Sequence, residues 1–537
     1  MTASATTRPP RRSLGRAALL IGSLTMLSSA IGFGRQLVFA HTVRAGCIGT
    51  AYTTANMVPN IIYDVVLGGA LTAAVVPVLA ANAGLAAAES ERARRQISAA
   101  LLTWTVLLLA PVSVLVALIS GPLSSVLIGS TPGCPRQTMV TDASRMLMVF
   151  APQILLYGLA VVLYGILQAH RRFTAPALAP VLSSLVVIGT YWWFGAVGGK
   201  YFADVAALPR SAWIILAVGT TAGVAALVAT PLLPVARLRL GLRPTLRFPD
   251  GAGARVRSLA VAGLVTLIAE DASTVVVIVL ANQRGGAGAL VLYNWAWAVF
   301  FLPYAVLAVP IATSAFPELS ERAVQDGPGF DQTTATSTRA ALVASWLGVA
   351  GMAGVCIPLS RVFESHASAE ARQLAIAFAL FAPGLVGYGL VANLSRVLYA
   401  YGRNRAALVA VSAGWVIVIV ADLVIVPFVP SSWVVPALGA GSSIGLTCAG
   451  VALVVMVRRA RGAAALSGCP RAALAGLAAA LAGAAAGWGV SVAVPVSGIP
   501  ANVAVTLLAS AVVLAAFFAV AAATDGGDLR AVLRRRR

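Results

Sequence analysis

The chain is a succession of long apolar segments separated by short polar stretches. A helix needs about 20 mostly apolar residues to cross a bilayer. Only 10% of the 537 residues carry a charge, whereas about a quarter do so in a soluble domain. These features exclude a water-soluble enzyme and predict an all-α polytopic membrane protein.

Fourteen segments are long and apolar enough to be predicted as transmembrane helices. They lie near residues 17–43, 50–82, 97–120, 143–169, 176–197, 211–235, 258–281, 288–317, 340–359, 374–401, 406–429, 434–457, 472–494 and 501–523. The loops between them are too short to hold a soluble domain. Whatever the protein does, we expect it to act within the bilayer.

The distribution of basic residues predicts the orientation. The net charge of +21 comes from 38 basic and 17 acidic residues. If the N-terminus is cytoplasmic, most basic residues fall in cytoplasmic loops and tails, as the positive-inside rule requires. An even number of spans then places both termini in the cytoplasm. We interpret the positive charge as an orientation signal and not as a nucleic-acid site, and we expect the Arg-rich segment 236–257 to lie against anionic lipid.

Two segments six spans apart resemble each other. LYGILQAHRRFTAP (Leu163–Pro176) aligns with LSRVLYAYGRNRAA (Leu394–Ala407), and both end a predicted span and enter a basic turn. We predict two six-helix halves in a parallel pseudo-two-fold repeat, with a substrate path between them. The predicted organisation is a basic tail (1–16), a first half (17–235), a linker (236–257), a second half (258–457), two additional helices (472–523) and a basic tail (524–537).

The five cysteines form no CxxC motif and no zinc-ligand spacing. No transition-metal site is therefore predicted. Two interpretations stay open: the cysteines are small apolar packing residues, or Cys47 and Cys134, both in loops predicted to lie outside, form a disulfide.

Four stretches, in order along the chain, resemble the MurJ/MviN family of lipid II flippases in the MOP exporter superfamily. They are SLTMLSSAIGFGRQLVFA (Ser23–Ala40), ANMVPNIIYDVVLGGALTAAVVPVLA (Ala55–Ala80), YGILQAHRRFTAPALAPVL (Tyr164–Leu182) and FFLPYAVLAVPIATSAFPELSE (Phe300–Glu321). The resemblance implies a V-shaped pair of six-helix bundles around a central cavity in a bacterial plasma membrane. It also implies that two C-terminal helices line a groove for a polyprenyl tail.

The chain departs from the family at its arginines. Ser29, Tyr63 and Ala298 stand at or near positions where the family usually carries arginine, and only Arg35 of that set remains. The identity of the substrate is therefore less firmly implied than the fold.

Ionisable side chains inside a span are costly and mark functional candidates. Arg35 lies well inside the first predicted span, and a guanidinium pairs bidentately with phosphate oxygens. Asp64 follows Asn60 by one helical turn and shares its face. We predict that Arg35, Asn60 and Asp64 bind the substrate. A structural ion pair between Arg35 and Asp64 is the alternative.

Pro59, Gly68 and Gly69 interrupt the second predicted span. Such residues free backbone polar groups that a cavity can use. They predict a hinge for alternating access, and a packed proline bend is the alternative.

Glu270 and Asp271 in the seventh predicted span and Asp422 in the eleventh form a second set of buried acids. Oxygen ligands suit a small hard cation, and Thr447 can add a hydroxyl. The resemblance likewise implies a sodium site in the second half. These four residues are the candidates for sodium or proton binding, and a hydrogen-bonded structural cluster is the alternative. Sodium is the only cofactor considered.

Together these features predict a flippase that moves an undecaprenyl-pyrophosphate-linked peptidoglycan precursor, lipid II, from the inner to the outer leaflet. A cation gradient or the membrane potential would drive it, and no covalent chemistry is required. The alternatives are a flippase for another lipid-linked oligosaccharide, a cation-coupled drug exporter, a membrane glycosyltransferase and a non-transporting cell-wall scaffold. The expected partners are lipid II, anionic lipids on the cytoplasmic side and cell-wall synthesis proteins.

Overall fold

The structure is a computed structural model. It describes residues 11–65, 87–131, 134–170, 172–199, 201, 208–241, 243–248, 252–325, 327–365 and 368–534. Within these ranges the regular secondary structure is helical. A helix satisfies its own backbone N–H and C=O groups, which lipid cannot do, so long apolar segments fold as helices. The predicted all-α class is confirmed.

Eight helices precede the segment predicted as a linker. They are α1 (Arg11–Thr42), α2 (Cys47–Tyr63), α3 (Ala87–Leu118), α4 (Ser120–Ile128), α5 (Arg136–Phe150), α6 (Pro152–Ala169), α7 (Thr174–Gly198) and α8 (Arg210–Ala236). In this first half α1 packs on α7, α7 on α8, α8 on α6 and α2 on α5.

Eleven helices follow the linker in the described ranges. They are α9 (Ala252–Arg284), α10 (Ala289–Pro303), α11 (Val309–Gln325), α12 (Pro328–Gly354), α13 (Cys356–Phe363), α14 (Ser368–Phe381), α15 (Gly384–Ala400), α16 (Asn404–Ile425), α17 (Val434–Arg461), α18 (Cys469–Ala493) and α19 (Ile499–Arg534). In this second half α16 packs on α17, α9 on α16 and α12 on α15, and the last pair, α18 and α19, packs against α12.

The described residues contain ten helices that are long and apolar enough to span a membrane, or twelve if each of two bent pairs is one span. The chain is therefore a multi-pass membrane protein. The count of fourteen, the parallel repeat and the segment boundaries stay predictions. The predicted span 50–82 is described only as far as residue 65, so Gly68 and Gly69 lie outside the described residues.

Three breaks interrupt the helices of the second half. α12 and α13 meet at 65°, and α14 and α15 meet at 43°. Pro383 lies at the second break, where its missing N–H cannot continue the helix ladder. Between α10 and α11 the chain forms a π-helical turn, Tyr304–Ala308, directly after Pro303.

The described part of the predicted linker runs along α3. The side chains of Gln96 and Trp104 donate to the carbonyl oxygens of Arg247 and Leu246, each at 3.2 Å. The backbone N–H of Thr245 donates to Oγ1 of Thr103 at 3.2 Å. This stretch therefore contacts protein, and lipid is not its only neighbour.

Cys47 and Cys134 form a disulfide. Of the other three cysteines, Cys356 and Cys469 are buried and Cys448 is exposed. The chain thus combines the two interpretations: one pair is crosslinked, and two cysteines pack as small apolar side chains.

Hydrogen bonds join the two halves at one end of the bundle. Nδ2 of Asn282 donates to Oγ1 of Thr54 at 2.9 Å and to the carbonyl of Leu127 at 3.0 Å. The backbone N–H of Gly288 donates to Oγ1 of Thr50 at 2.8 Å. Gly288 has φ +80°, and a β-carbon there would collide with the backbone of Ala45. We call this region, residues 43–54, 127–129 and 282–288, the closed end.

Candidate functional site

A cavity of about 700 Å³ lies between the two halves. Helices α1, α2, α6, α7 and α8 line it on one side, and α9, α10 and α16 line it on the other. Pockets of this size accommodate small organic ligands or parts of larger ones.

The residues that α1 and α2 contribute recur at helical spacing. They are Ser28, Gly32, Arg35, Gln36 and Phe39 from α1, and Tyr52, Thr53, Asn56, Met57, Asn60, Ile61 and Asp64 from α2. Each set follows the three- and four-residue steps of one helix face. The structure therefore brings Arg35, Asn60 and Asp64, the three residues predicted to bind substrate, to one cavity.

The Arg35 side chain is half-buried and lines the cavity. Among the described residues no ion pair joins it to Asp64, and it donates no hydrogen bond to protein. Its guanidinium is available to a ligand, and the alternative of a structural pair with Asp64 is not what the structure contains.

A hydrogen-bonded set of hydroxyls lines the cavity on the same side as Arg35. The Tyr52 hydroxyl lies 2.9 Å from that of Tyr191 and 2.8 Å from Oγ1 of Thr220. Thr220 in turn donates to the carbonyl of Leu216 at 2.7 Å. The sequence analysis missed this set because its members come from α2, α7 and α8. Three polar residues facing one another inside apolar spans were the available signal.

Glu270 and Asp271 line the cavity from α9. The side chain of Asp271 is 6% exposed, and its Oδ2 has no hydrogen-bond partner. Like Asp64, neither acid forms an ion pair with the described residues. Buried carboxylates without partners are costly, which marks this wall as a place where a ligand can supply the missing charge or donor.

The predicted cation site is not assembled from all four of its residues. Asp422 is fully buried, does not line the cavity, and packs against Gly441 of α17. Thr447 is exposed and lies six residues beyond Gly441, which is about 9 Å along the helix and on a different face. No group of three or more His, Cys, Asp or Glu side chains among the described residues is arranged to hold a metal ion.

Aromatic rings line the cavity on its second-half side, and the sequence analysis did not identify them. They are Tyr293, Trp295, Trp297 and Trp415. The rings of Tyr293 and Trp297 stack with centroids 6.5 Å apart at 10°, and those of Trp297 and Trp415 lie 6.3 Å apart. The signal was the pair of tryptophans two residues apart in α10, which mimics a buried apolar helix.

The positions that depart from the family's arginines divide into two kinds. Ala298 lines the cavity, so a small side chain leaves space there. The ring of Tyr63 packs on that of Tyr157 with centroids 4.9 Å apart. Pro59 lies inside α2, and its role as a hinge stays a prediction.

The comparisons with known proteins agree with this architecture. Residues 39–523 match the family model of lipid II flippase MurJ. The lipid II flippase MurJ of Burkholderia cenocepacia is 24% identical over 436 residues, which are 80% of this chain and 82% of that protein. A probable lipid II flippase MurJ of Synechocystis sp. is 28% identical over 243 residues, 44% of this chain and 42% of that one.

Two solved structures have a similar fold. A lipid II flippase MurJ in an inward closed conformation superposes with a TM-score of 0.70 at 16% identity, over 93% of this chain and 99% of that one. A multidrug resistance MATE family transporter of the MOP superfamily, in an inward-facing conformation, gives 0.64 at 14% identity over 84% and 99%. Because the family model matches most of its length, this chain belongs to the lipid II flippase MurJ family.

Proposed function

We propose that this protein is a lipid II flippase that carries the precursor's polar head through the cavity between its two halves. The observation that carries the proposal is Arg35, which lines that cavity and has no anionic partner among the described residues. A guanidinium in this position can pair with pyrophosphate oxygens. The role is transport, and no bond of the substrate is made or broken.

Asn60 and Asp64 complete the proposed head-group site from the neighbouring helix. Asn60 donates from Nδ2 to the carbonyl of Asn56 at 3.0 Å, which leaves its Oδ1 available to substrate hydroxyl or amide groups. The polyprenyl tail stays in lipid beside the protein, because a long apolar chain gains nothing by entering a polar cavity.

Under the predicted orientation, the closed end faces outward and the cavity loads from the cytoplasmic side. Transport then requires that the contacts of Asn282 and Gly288 across the halves break while others form at the opposite end, as in alternating access. We propose that a cation gradient or the membrane potential drives the cycle, with the cavity acids Glu270 and Asp271 holding a proton or sodium ion. Buried Asp422 is a further candidate for a proton.

The test is lipid II translocation in proteoliposomes, measured as access of a leaflet-specific probe. Arg35→Ala should reduce the rate by about tenfold or more, since charge-assisted hydrogen bonds contribute about 1.5–3 kcal/mol. Arg396→Ala is the matched control, because that arginine also lies in a helix but donates to its own backbone at Ala392. Equal rates for Arg35→Ala and wild type would remove Arg35 from the site. No translocation by wild type would reject the function.

A further inference from the structure

The charge of the cavity does not match an anionic ligand alone. Of the described residues that line it, one is a guanidinium, Arg35, and three are carboxylates, Asp64, Glu270 and Asp271. A diphosphate placed in this cavity meets one fixed positive charge and several negative ones. Some other feature of a ligand must account for the acids.

The acids are not used by the protein itself. None of the three forms an ion pair or accepts a side-chain hydrogen bond from the described residues. Asp271 is the clearest case, because its side chain is 94% removed from solvent by its 6% exposure while Oδ2 has no partner. A carboxylate held this way is complemented by a cationic donor that enters from the cavity.

The aromatic wall restricts the kind of cation. Trp297 is half-buried and lines the cavity together with Trp415 and Tyr293. The faces of tryptophan and tyrosine attract weakly hydrated organic cations. A small metal ion instead requires a shell of oxygen ligands, and the described residues contain no cluster of three or more acidic, His or Cys side chains that supplies one.

We propose that Asp64, Glu270 and Asp271, together with Trp297 and Trp415, form a binding site for an organic ammonium group. This site lies in the same cavity as Arg35 and goes beyond the proposed recognition of pyrophosphate. The ammonium group has two possible sources: a primary amine on the lipid-linked substrate, or a separate organic cation.

The first experiment titrates the detergent-solubilised full chain with tetrapropylammonium, followed by calorimetry. Asp271→Asn and Trp297→Leu should each weaken saturable binding by about tenfold, the scale of a desolvated cation–aromatic or ion-pair contact. Asp142→Asn is the matched carboxylate control, because Asp142 is 8% exposed and does not line the cavity. Trp192→Leu, an exposed tryptophan, is the ring control. Melting temperatures verify folding, and Glu270→Gln replaces any cavity variant that does not fold.

The second experiment compares two forms of the lipid-linked precursor, one with a free side-chain amine in its peptide and one acetylated at that amine. Weaker binding of the acetylated form by wild type, but not by Asp271→Asn, assigns the site to the substrate's own amine. Saturable tetrapropylammonium binding with equal binding of both precursors assigns it to a separate cation.

Two outcomes overturn the proposal. One is that wild type neither binds tetrapropylammonium nor distinguishes the two precursors. The other is that the cavity variants bind as the control variants do. In either case Arg35-dependent lipid translocation would leave the proposed function standing, so the two failures are distinguishable.

Discussion

Asn282 and Thr54 lie on opposite halves of the molecule, and Nδ2 of Asn282 donates to Oγ1 of Thr54 at 2.9 Å. The same amide reaches the carbonyl of Leu127, and the residue is fully buried. A buried amide that bonds across an interface holds that interface closed. The closed end therefore has an identifiable latch that must open during alternating access.

Asn282→Ala should loosen the closed end. The change leaves two buried partners unsatisfied, which costs about 1–3 kcal/mol. We expect hydrogen exchange of the amides in the first turns of α2 to become about tenfold faster or more. Asn502→Ala is the control, because Asn502 is also buried but donates within its own helix end, to Gly498 at 2.8 Å. Unchanged exchange in α2 would show that Asn282 does not hold the halves together.

Removal of the Cys47–Cys134 crosslink should destabilise the first half. The two cysteines are 87 residues apart, and closing a long loop restricts the unfolded chain, typically by about 2–4 kcal/mol of stability. The double change Cys47→Ser with Cys134→Ser should lower the melting temperature and make it independent of reductant. Wild type should lose stability on reduction, and Cys448→Ser, at an exposed free cysteine, should behave as wild type. A melting temperature that ignores both changes contradicts the prediction.

Gly441→Ala should disrupt the contact between α16 and α17. A β-carbon at Gly441 would overlap the carboxylate of Asp422, and overpacking of this kind costs about 1–3 kcal/mol. Gly351→Ala is the matched control: it lies inside α12 with open space around the added methyl group, so better helix propensity should leave stability unchanged or raise it by up to about 1 kcal/mol. Thermal unfolding in detergent measures both, and equal effects would refute the packing argument.

Tyr52→Phe should weaken the wall beside Arg35. The hydroxyl contacts Tyr191 and Thr220, and losing two buried hydrogen bonds should cost about 1–3 kcal/mol. Tyr164→Phe, which loses one 3.3 Å bond to the carbonyl of Leu227, should cost less. Lipid II translocation should also fall more for Tyr52→Phe, because Tyr52 lines the cavity. The reverse order of the two variants would contradict this.

The parts of the structure that local physics dictates were predictable from the sequence. Lipid offers no hydrogen bonds, so the length of an apolar segment is enough to predict a helix. The common face of Asn60 and Asp64 follows from helical periodicity. The cost of burying a charge correctly singled out Arg35 as a residue of the cavity.

The parts that depend on how helices rotate against one another were not predictable. Asp422 and Thr447 are both in the second half, yet the rotation of α17 turns Gly441, and not Thr447, toward Asp422. The contacts among Tyr52, Tyr191 and Thr220 join residues more than one hundred positions apart, separated by 139 and 168 residues from Tyr52. Only tertiary packing determines such neighbours, and a single sequence does not reveal it.

The π-helical turn at Tyr304–Ala308 sets the angular position of everything that follows it in α11. A π turn accommodates one more residue than an α turn, so deleting one residue there would rotate the rest of the helix by about 100°. Glu318 and Arg322, which form an ion pair at 2.8 Å, would then lose their contacts with Thr333 and Gly329. Alignments that place a gap in this turn therefore equate residues that face different neighbours, and homologues of different length here need to be compared by three-dimensional position and not by column.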